Sequence, residues 1–390
     1  MGDFVKNNSL SFSDGSPANI LLVGDNLYGL KHLLKDYKKR IKFIYIDPPY
    51  GNGGGMGKAC VYYENFNDRN FLLSFLRERL ELAKQLLRDD GVFYLHCDNR
   101  NHAYFKILCD DIFGGNNFNG SLIWKKKFTG QPITKNYSIL HEYILVYCMK
   151  KFRLNKIKYI NNNYYNNEYN GKKCSIEICI SQGVGRFNSF WYPIVNPDGI
   201  ELNPVQGWQY RKEKMDDFFN KGLIIWKENK EKVKYPYFIH YERENNKQIF
   251  DYLPPEEVGY NNDAGNFLNK LFNNELVFTF SKPYKLIKYL LSHSTDKDDI
   301  VLDFFAGSGS TGHAVLNMNK TDGGNRKFIL CQTNEIIQNC KNGIAYDITC
   351  KVLKRIMTGE CYDGTKPESF LKNNSPYGGS LDVFDYIDQN

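Results

Sequence analysis

A strand, a glycine turn and a helix come almost at the end of this 390-residue chain, and their position restricts the fold more than any other feature. Ile300 to Val315 reads IVLDFFAGSGSTGHAV: an apolar strand ending in Asp303, then Gly307, Gly309 and Gly312, with a helix opening near Ser310 or Thr311. Gly307 to Gly312 satisfies G-x-G-x-x-G, so a nicotinamide or flavin dinucleotide is the first ligand to weigh. Only 78 residues follow Gly312, too few for the remaining strands and helices of a dinucleotide domain. The sheet must therefore be completed by residues that come earlier. Asp303 argues in the same direction: a carboxylate at a strand's carboxyl end repels a pyrophosphate but pairs with the ammonium of a methionine moiety. S-adenosylmethionine suits this turn better than NAD.

A second abrupt strand ending lies far upstream. Lys42 to Gly51, KFIYIDPPYG, is a β-forming run that breaks into Asp47, Pro48, Pro49 and Tyr50. Consecutive prolines fix φ and remove two backbone donors, so the turn presents carbonyls, one carboxylate and one ring in a set pose. The Asp47 carboxylate and the Pro48 carbonyl accept hydrogen bonds, which an exocyclic amine offers, and Tyr50 supplies a stacking face. Taken alone, the tetrapeptide also reads as a Pro-Pro turn capping a buried strand.

Between these motifs the pattern alternates strand and helix up to about residue 150, the mark of a parallel α/β sheet. Ile20–Val23 is a short strand leading to Asp25, an N-cap that can also accept the N6 amine of an adenosine. Residues 1–18 read as a loose polar arm. Gly51–Gly57 holds five glycines and reads equally as a mobile lid or as a plain flexible loop, and Tyr62, Tyr63 and Phe66 offer rings to close on a captured base. Residues 71–87 form an amphipathic helix stopped by Asp89-Asp90-Gly91, and 92–97 (VFYLHC) form a buried strand in which His96 and Cys97 are core. A helix follows over 102–113, and a brief strand over 121–124. Lys125–Lys127 is a solvated charge run that can also touch phosphate, and 139–147 (ILHEYILVY) is an apolar strand containing His141 and Glu142.

Composition breaks near 151, where Asn, Tyr and Lys replace core-forming residues. Pro197-Asp198-Gly199 marks a turn between two short β runs, and aromatics interleave with Arg and Lys. Such a surface suits nucleic acid, and an ordinary α+β insertion has the same composition. Ser281-Lys282-Pro283-Tyr284 then opens a helix whose amino end, with Lys282, would face a carboxylate such as that of the methionine moiety. After the glycine turn, Lys327–Gln332 is the next strand. Its carboxyl end should supply an acid for ribose hydroxyls, and Gln332 stands nearest that position, with Glu335 three residues on.

The formal charge of +7 is compatible with a polyanionic partner without proving one. The ten cysteines show no C-x-x-C or paired Cys/His spacing, which argues against structural zinc. With no leader and no membrane-spanning run, a reduced cytoplasmic protein is expected.

Asp-Pro-Pro-Tyr first, an insertion second, and a Lys-Pro helix with the Phe305, Gly307, Gly309 turn third resembles the β group of DNA amino-methyltransferases, particularly modification subunits of type III restriction systems. The likeness runs over roughly 18–340. It implies a circularly permuted Rossmann-like S-adenosylmethionine-dependent methyltransferase sheet with an inserted α+β target-recognition region. Residues 1–150 would form the first catalytic half, 151–255 the insertion, 256–358 the second half and 359–390 a tail. By the same resemblance, Asp47, Pro48, Pro49 and Tyr50 hold the base, with Tyr63 and Phe66 stacking beside Tyr50. Asp25, Lys282, Asp303, Phe304, Phe305, Gly307, Gly309, Thr311, Gln332 and Glu335 line the cofactor site. Gln332 and the glycine-rich stretch after Tyr50 depart from the family pattern. The implied reaction is methylation of adenine N6 in double-stranded DNA, the base flipped out and its amine aimed at the sulfonium methyl by Asp47 and the Pro48 carbonyl. Cytosine N4, RNA adenine, and a catalytically idle DNA-binding subunit are the rival readings. A homodimer and a cognate restriction endonuclease enter as candidate partners.

Overall fold

A computed structural model of the chain describes residues 2–50, 68–130, 137–159, 164–182, 188–246, 249–275, 278, 281–337 and 340–388. The glycine-rich stretch from Gly51, and Tyr62, Tyr63 and Phe66, lie outside the described residues. The chain divides into two compact units, residues 1–155 with 249–390, and residues 156–248.

The strands of the first unit's large sheet are β1 (Asp3–Lys6), β2 (Ala18–Val23), β3 (Ile41–Ile46), β4 (Leu87–Cys97), β5 (Phe118–Lys125), β6 (His141–Cys148), β7 (Ile300–Asp303), β8 (Lys327–Gln332) and β9 (Ser380–Ile387). They lie side by side in the order β1-β9-β2-β8-β7-β3-β4-β6-β5. β7, from late in the chain, pairs in parallel with β3, from early in it, through Val301 with Phe43 and Leu302 with Ile44. On its other side β7 pairs in parallel with β8, and β8 with β2. Counted from β7, the run β2-β8-β7-β3-β4 is the third, second, first, fourth and fifth strand, the doubly wound order of a Rossmann-like sheet entered partway through. This is the permutation the motif order predicts.

Both faces of the sheet are covered, so its central strands read as continuous apolar runs. Every residue of β3 is buried. Ile44 and Ile46 pack with helices α1 (Asn26–Tyr37), α2 (Arg69–Leu86) and α3 (His102–Phe113), while Phe43 and Tyr45 pack with α4 (Tyr284–Ser294), α5 (Ser310–Asp322) and the helix Lys351–Thr358. In α2, Leu72, Leu76, Leu80, Ala83 and Leu86 recur every three or four residues and are all buried, and the Asp68 side chain caps the first turn by accepting from Asn70 N at 2.8 Å.

Four expectations need correction. β6 runs antiparallel to both β4 and β5, so the first half of the sheet is mixed. Asp89-Asp90-Gly91 is not a stop after α2 but part of β4, held extended by Lys42 Nζ on Asp90 O (2.7 Å) and Met149 N on Gly91 O (2.9 Å). The arm before residue 18 supplies β1, antiparallel to β9. The tail past 358 supplies β9, parallel to β2, with Leu381 and Val383 fully buried.

The second unit begins at 156 and ends at 248, inside the expected bounds of 151 and 255. It contains an antiparallel sheet in the order Ile224–Glu228, Lys234–Tyr241, Lys172–Ile178, Asn167–Tyr169, and the helix Lys212–Asn220. Pro197-Asp198-Gly199 turns a small hairpin, with Gly199 at a φ of 78°. Trp208, Met215, Phe218 and Phe238 form its core.

Leu381→Ala, by opening a void between β9 and the covering helices, should cost the fold about 3 kcal/mol in urea denaturation. An unchanged midpoint would mean that β9 contributes nothing to the sheet.

Candidate active site

Because β2, β8, β7, β3 and β4 run in one direction, their carboxyl ends share a rim. The two motifs leave from its middle. The chain after β7 turns into α5 on one face, and the chain after β3 goes on to α2 on the other. Loops parting in this way open the crevice at which doubly wound sheets take ligands.

The turn after β7 is tied on every side. Gly307 and Gly309 have φ values of 53° and 81°, a region that favours glycine. Gln332 Oε1 accepts from Gly307 N at 2.7 Å, Cys331 O accepts from Ala306 N at 3.1 Å, and Thr349 Oγ1 donates to Gly307 O at 2.6 Å. Ser310 Oγ donates to Lys282 O (2.7 Å), and the Ser281 and Ser308 hydroxyls lie 2.6 Å apart, so the Ser-Lys-Pro segment is fastened to the turn. At Gly312 a Cβ would lie 3.0 Å from Leu353, which keeps α5 close against its neighbour.

Asp303 is buried, one carboxyl oxygen accepting from Phe305 N at 3.0 Å and the other from the Thr311 hydroxyl at 2.6 Å. Burial pushes its pKa up to about 7, against the pull of these two donors, and the Asp47 charge adds to the rise. No basic side chain figures among these influences. The carboxyl is in this respect suited to a ligand that brings its own cation.

Asp47, at the end of β3, is held quite differently. Tyr50 Oη donates to Asp47 Oδ1, and Lys282 Nζ sits 2.8 Å from Oδ2. Lys282, expected to face the cofactor, is therefore bonded to the Asp-Pro-Pro-Tyr turn. It is also 3.5 Å from Glu142 on β6, which is buried and accepts from His96 on β4 and Lys126 just beyond β5, both at 2.9 Å. His96 Nδ1 in turn meets the Tyr45 hydroxyl at 2.8 Å. Burial opposes ionisation of both Lys282 and Glu142, but their mutual attraction and their other partners outweigh it. The lysine is raised and the glutamate lowered, so both are charged. Burial and the neighbouring Asp47 hold the Tyr50 phenol well above its ordinary range, which keeps it a neutral donor. Asn101 Nδ2 donates to Tyr50 O at 2.8 Å and bridges to Asp98 at 3.0 Å, bracing the turn from β4.

The remaining expected residues fall into place unevenly. Asp25 caps α1 by accepting from Leu27 N (2.8 Å) and is paired with buried Arg79 at 2.8 Å. Phe304 is fully buried in the face covered by α1, α2 and α3, a core ring and not a site ring, while its carbonyl accepts from Asn26 at 2.6 Å. Phe305 is half-buried, 6.2 Å from the Phe75 ring. Glu335 lies beyond β8, its carbonyl accepting from Ile344 N at 2.8 Å. Sequence reasoning missed Arg79, Asn101, Lys126, Glu142 and His96. Only the polar character of Glu142 and His96 inside apolar strands signalled them.

Residues 41–342 match a family described as DNA methylase. The chain belongs to the DNA methylase family. Relatives of this DNA methylase include the type III restriction-modification enzyme StyLTI Mod subunit of Salmonella typhimurium strain LT2, 30% identical over 86% of this chain and 55% of that subunit. The EcoPI Mod subunit of Escherichia phage P1 is 29% identical over 87% of this chain and 62% of its own length. Type II methyltransferase M.KpnI of Klebsiella pneumoniae is 29% identical over 85% and 84%. The chain thus spans between 55% and 62% of those two Mod subunits. Among solved structures, the cytosine-N4-specific PvuII DNA methyltransferase is similar with a TM-score of 0.43 and 13% identity, over 82% of this chain and 83% of that one. Among the described residues, no helix is long and apolar enough to cross a membrane.

In the ligand-free methylase, Asp303 should titrate with a midpoint near 7 by carboxyl 13C NMR, and Thr311→Val, which removes a donor to the ionised form, should raise it further. A midpoint near the ordinary aspartate value would contradict the assigned burial. Because this folded-state pKa lies above the unfolded value, Asp303 lowers stability as pH rises through about 4 to 7.

Proposed function

We propose that this chain is a site-specific DNA methyltransferase of a restriction-modification system, which moves a methyl group from S-adenosyl-L-methionine to N6 of a flipped-out adenine in double-stranded DNA. The observation that carries this reading is the adjacency of the Asp47 and Asp303 strands, whose carboxyl ends place the two loops side by side at one rim.

Bound S-adenosylmethionine supplies an electrophilic methyl on a sulfonium. Asp303, with no basic partner among the described residues, suits its ammonium. The glycine turn, Gln332 and Asp25 suit its remaining polar groups. The protein's own part is to hold and aim the amine. An exocyclic amine conjugated with its ring is a weak nucleophile, so the site needs acceptors that localise the nitrogen lone pair along the line of attack. Asp47 Oδ1 is such an acceptor once the Tyr50 hydroxyl yields it, and the freed Tyr50 ring is then available to stack on the base. As the N–C bond forms the methyl–sulfur bond breaks, its electron pair staying on sulfur, and the nitrogen, now cationic, sheds a proton for which Asp47 Oδ1 is the acceptor beside it. Asp before Pro-Pro-Tyr favours adenine over cytosine N4. The unit 156–248, with its exposed lysines and the exposed Trp191, is the segment assigned to target recognition, and a cognate nuclease and a second copy of the chain are the expected partners.

Incubation with methyl-labelled cofactor and unmethylated DNA tests the activity directly. Asp47→Ala should abolish label transfer while leaving cofactor affinity within about threefold by calorimetry, and equal loss of both would contradict the division of roles. Replacing DNA by RNA of the same sequence should remove the signal.

Cofactor affinity should also rise with pH by about tenfold per unit between about pH 5.5 and 7 as Asp303 ionises, below the α-amino pKa of about 8. Asp303→Asn should flatten that slope. A pH-independent wild type would remove Asp303 from the ammonium site.

A further inference from the structure

Beneath the Asp-Pro-Pro-Tyr turn, four neighbouring strands and the Ser-Lys-Pro segment bring together groups that the reaction outlined above does not use. Glu142 is 6% exposed and has three cationic or imidazole partners: His96 and Lys126 at 2.9 Å and Lys282 at 3.5 Å. His96, fully buried, is fixed from its other side by the Tyr45 hydroxyl. Lys282 spans Glu142 and Asp47, so one ammonium is divided between two carboxylates.

This division has a consequence at Asp47. An ammonium free to settle on Asp47 alone would neutralise the carboxylate and weaken its attraction for a poor N–H donor. An ammonium held partly on Glu142 stays on one oxygen only and leaves the other its acceptor strength. Glu142 itself cannot drift, because a buried carboxylate is retained only by matched partners, and here His96 and Lys126 supply them.

We propose that Glu142 is a positioning residue for methyl transfer: held by His96 and Lys126, it anchors Lys282 on Asp47 Oδ2, so that Oδ1 alone exchanges the Tyr50 hydroxyl for the target amine. The proposal rests on the methyltransferase reading. Lys282 is faced by Asp47 and Tyr50 from the turn after β3, by Glu142 from β6 and by the Trp124 ring from β5, while Lys126 and His96 act on it through Glu142.

The test is Glu142→Gln in the full chain, which keeps the shape of the side chain and removes its charge. The single-turnover rate of methyl transfer should fall at least tenfold, with cofactor and DNA dissociation constants within threefold of wild type. The alkaline limb of the rate profile should move to lower pH, because Lys282 loses one of the two charges that hold its proton. A wild-type rate, or a slower rate with an unmoved limb, overturns the anchor, the second outcome leaving Glu142 a merely structural role. If Glu142→Gln does not fold, Lys126→Gln is read instead: it loosens Glu142 from outside and leaves Lys282 in place, so the rate should fall while the alkaline limb moves to higher pH, because a cation near Lys282 is gone, and a wild-type rate or an unmoved limb overturns the anchor. Failure of the underlying activity is seen separately, as a wild type that labels no DNA. In that event the lysine Nζ titration by 15N NMR decides: the Lys282 midpoint falls in the variant if Glu142 holds the ammonium, and an unchanged midpoint overturns the proposal.

Discussion

Two backbone pairings, Val301 with Phe43 and Leu302 with Ile44, join the late part of the chain to the early part, and the site exists because of them. Parallel strands lie just under 5 Å apart, so whatever leaves their carboxyl ends starts within contact range. The chain then departs to opposite faces, into α5 from β7 and towards α2 from β3. Adjacent strands whose exits diverge cannot close the gap with their own backbone. The gap is filled by side chains and by whatever binds there.

Three of the carboxylates at the rim, Glu142, Asp47 and Asp303, are made unlike one another by their surroundings. Glu142 is surrounded by positive and imidazole partners and is fully ionised. Asp47 has one ammonium and one phenol. Asp303 is buried with only a neutral hydroxyl and a backbone amide as donors and a like charge nearby, so burial raises its pKa, whereas the cations around Glu142 outweigh burial and lower that of the glutamate. Identical chemistry is thus graded by burial and by the charge of the partners, from a carboxylate that needs nothing further to one that gains most from an incoming cation.

Much of this could be read from the residues in order. β3, β7 and their turns are local events: a β-forming run, then prolines or glycines that leave the backbone few alternatives. The permuted order followed from the glycine turn coming so late. The tail was harder, because β9 is a strand only by virtue of β2 and β1, hundreds of residues away. Its alternation of Leu381 and Val383 with Asp382 was the available clue. The charge network was not legible from spacing at all. His96, Lys126 and Glu142 meet only when β6 inserts antiparallel between β4 and β5, and a purely parallel sheet would have kept them apart. Lys282 shows the same limit. Its helix start pointed to a carboxylate, but which carboxylate depended on how far its chain reaches across the rim.

On the proposed function, Tyr50 links the electrostatics to base capture. Its backbone carbonyl is fixed by Asn101, so the ring can leave Asp47 without disturbing the turn. Exchanging a phenol O–H for an amine N–H on the same carboxylate oxygen replaces one charge-assisted hydrogen bond by another and changes the free energy little. The drive to exchange must come from elsewhere, and stacking of a base on an aromatic ring, worth about 1–3 kcal/mol, is of the right size. On this account the resting contact protects Asp47 from water and yields only to a planar ligand that offers both a face and an amine. A purine with no exocyclic amine would recover the stacking but leave the carboxylate oxygen unpaired, so the same contact that closes the empty site also discriminates among the bases that open it.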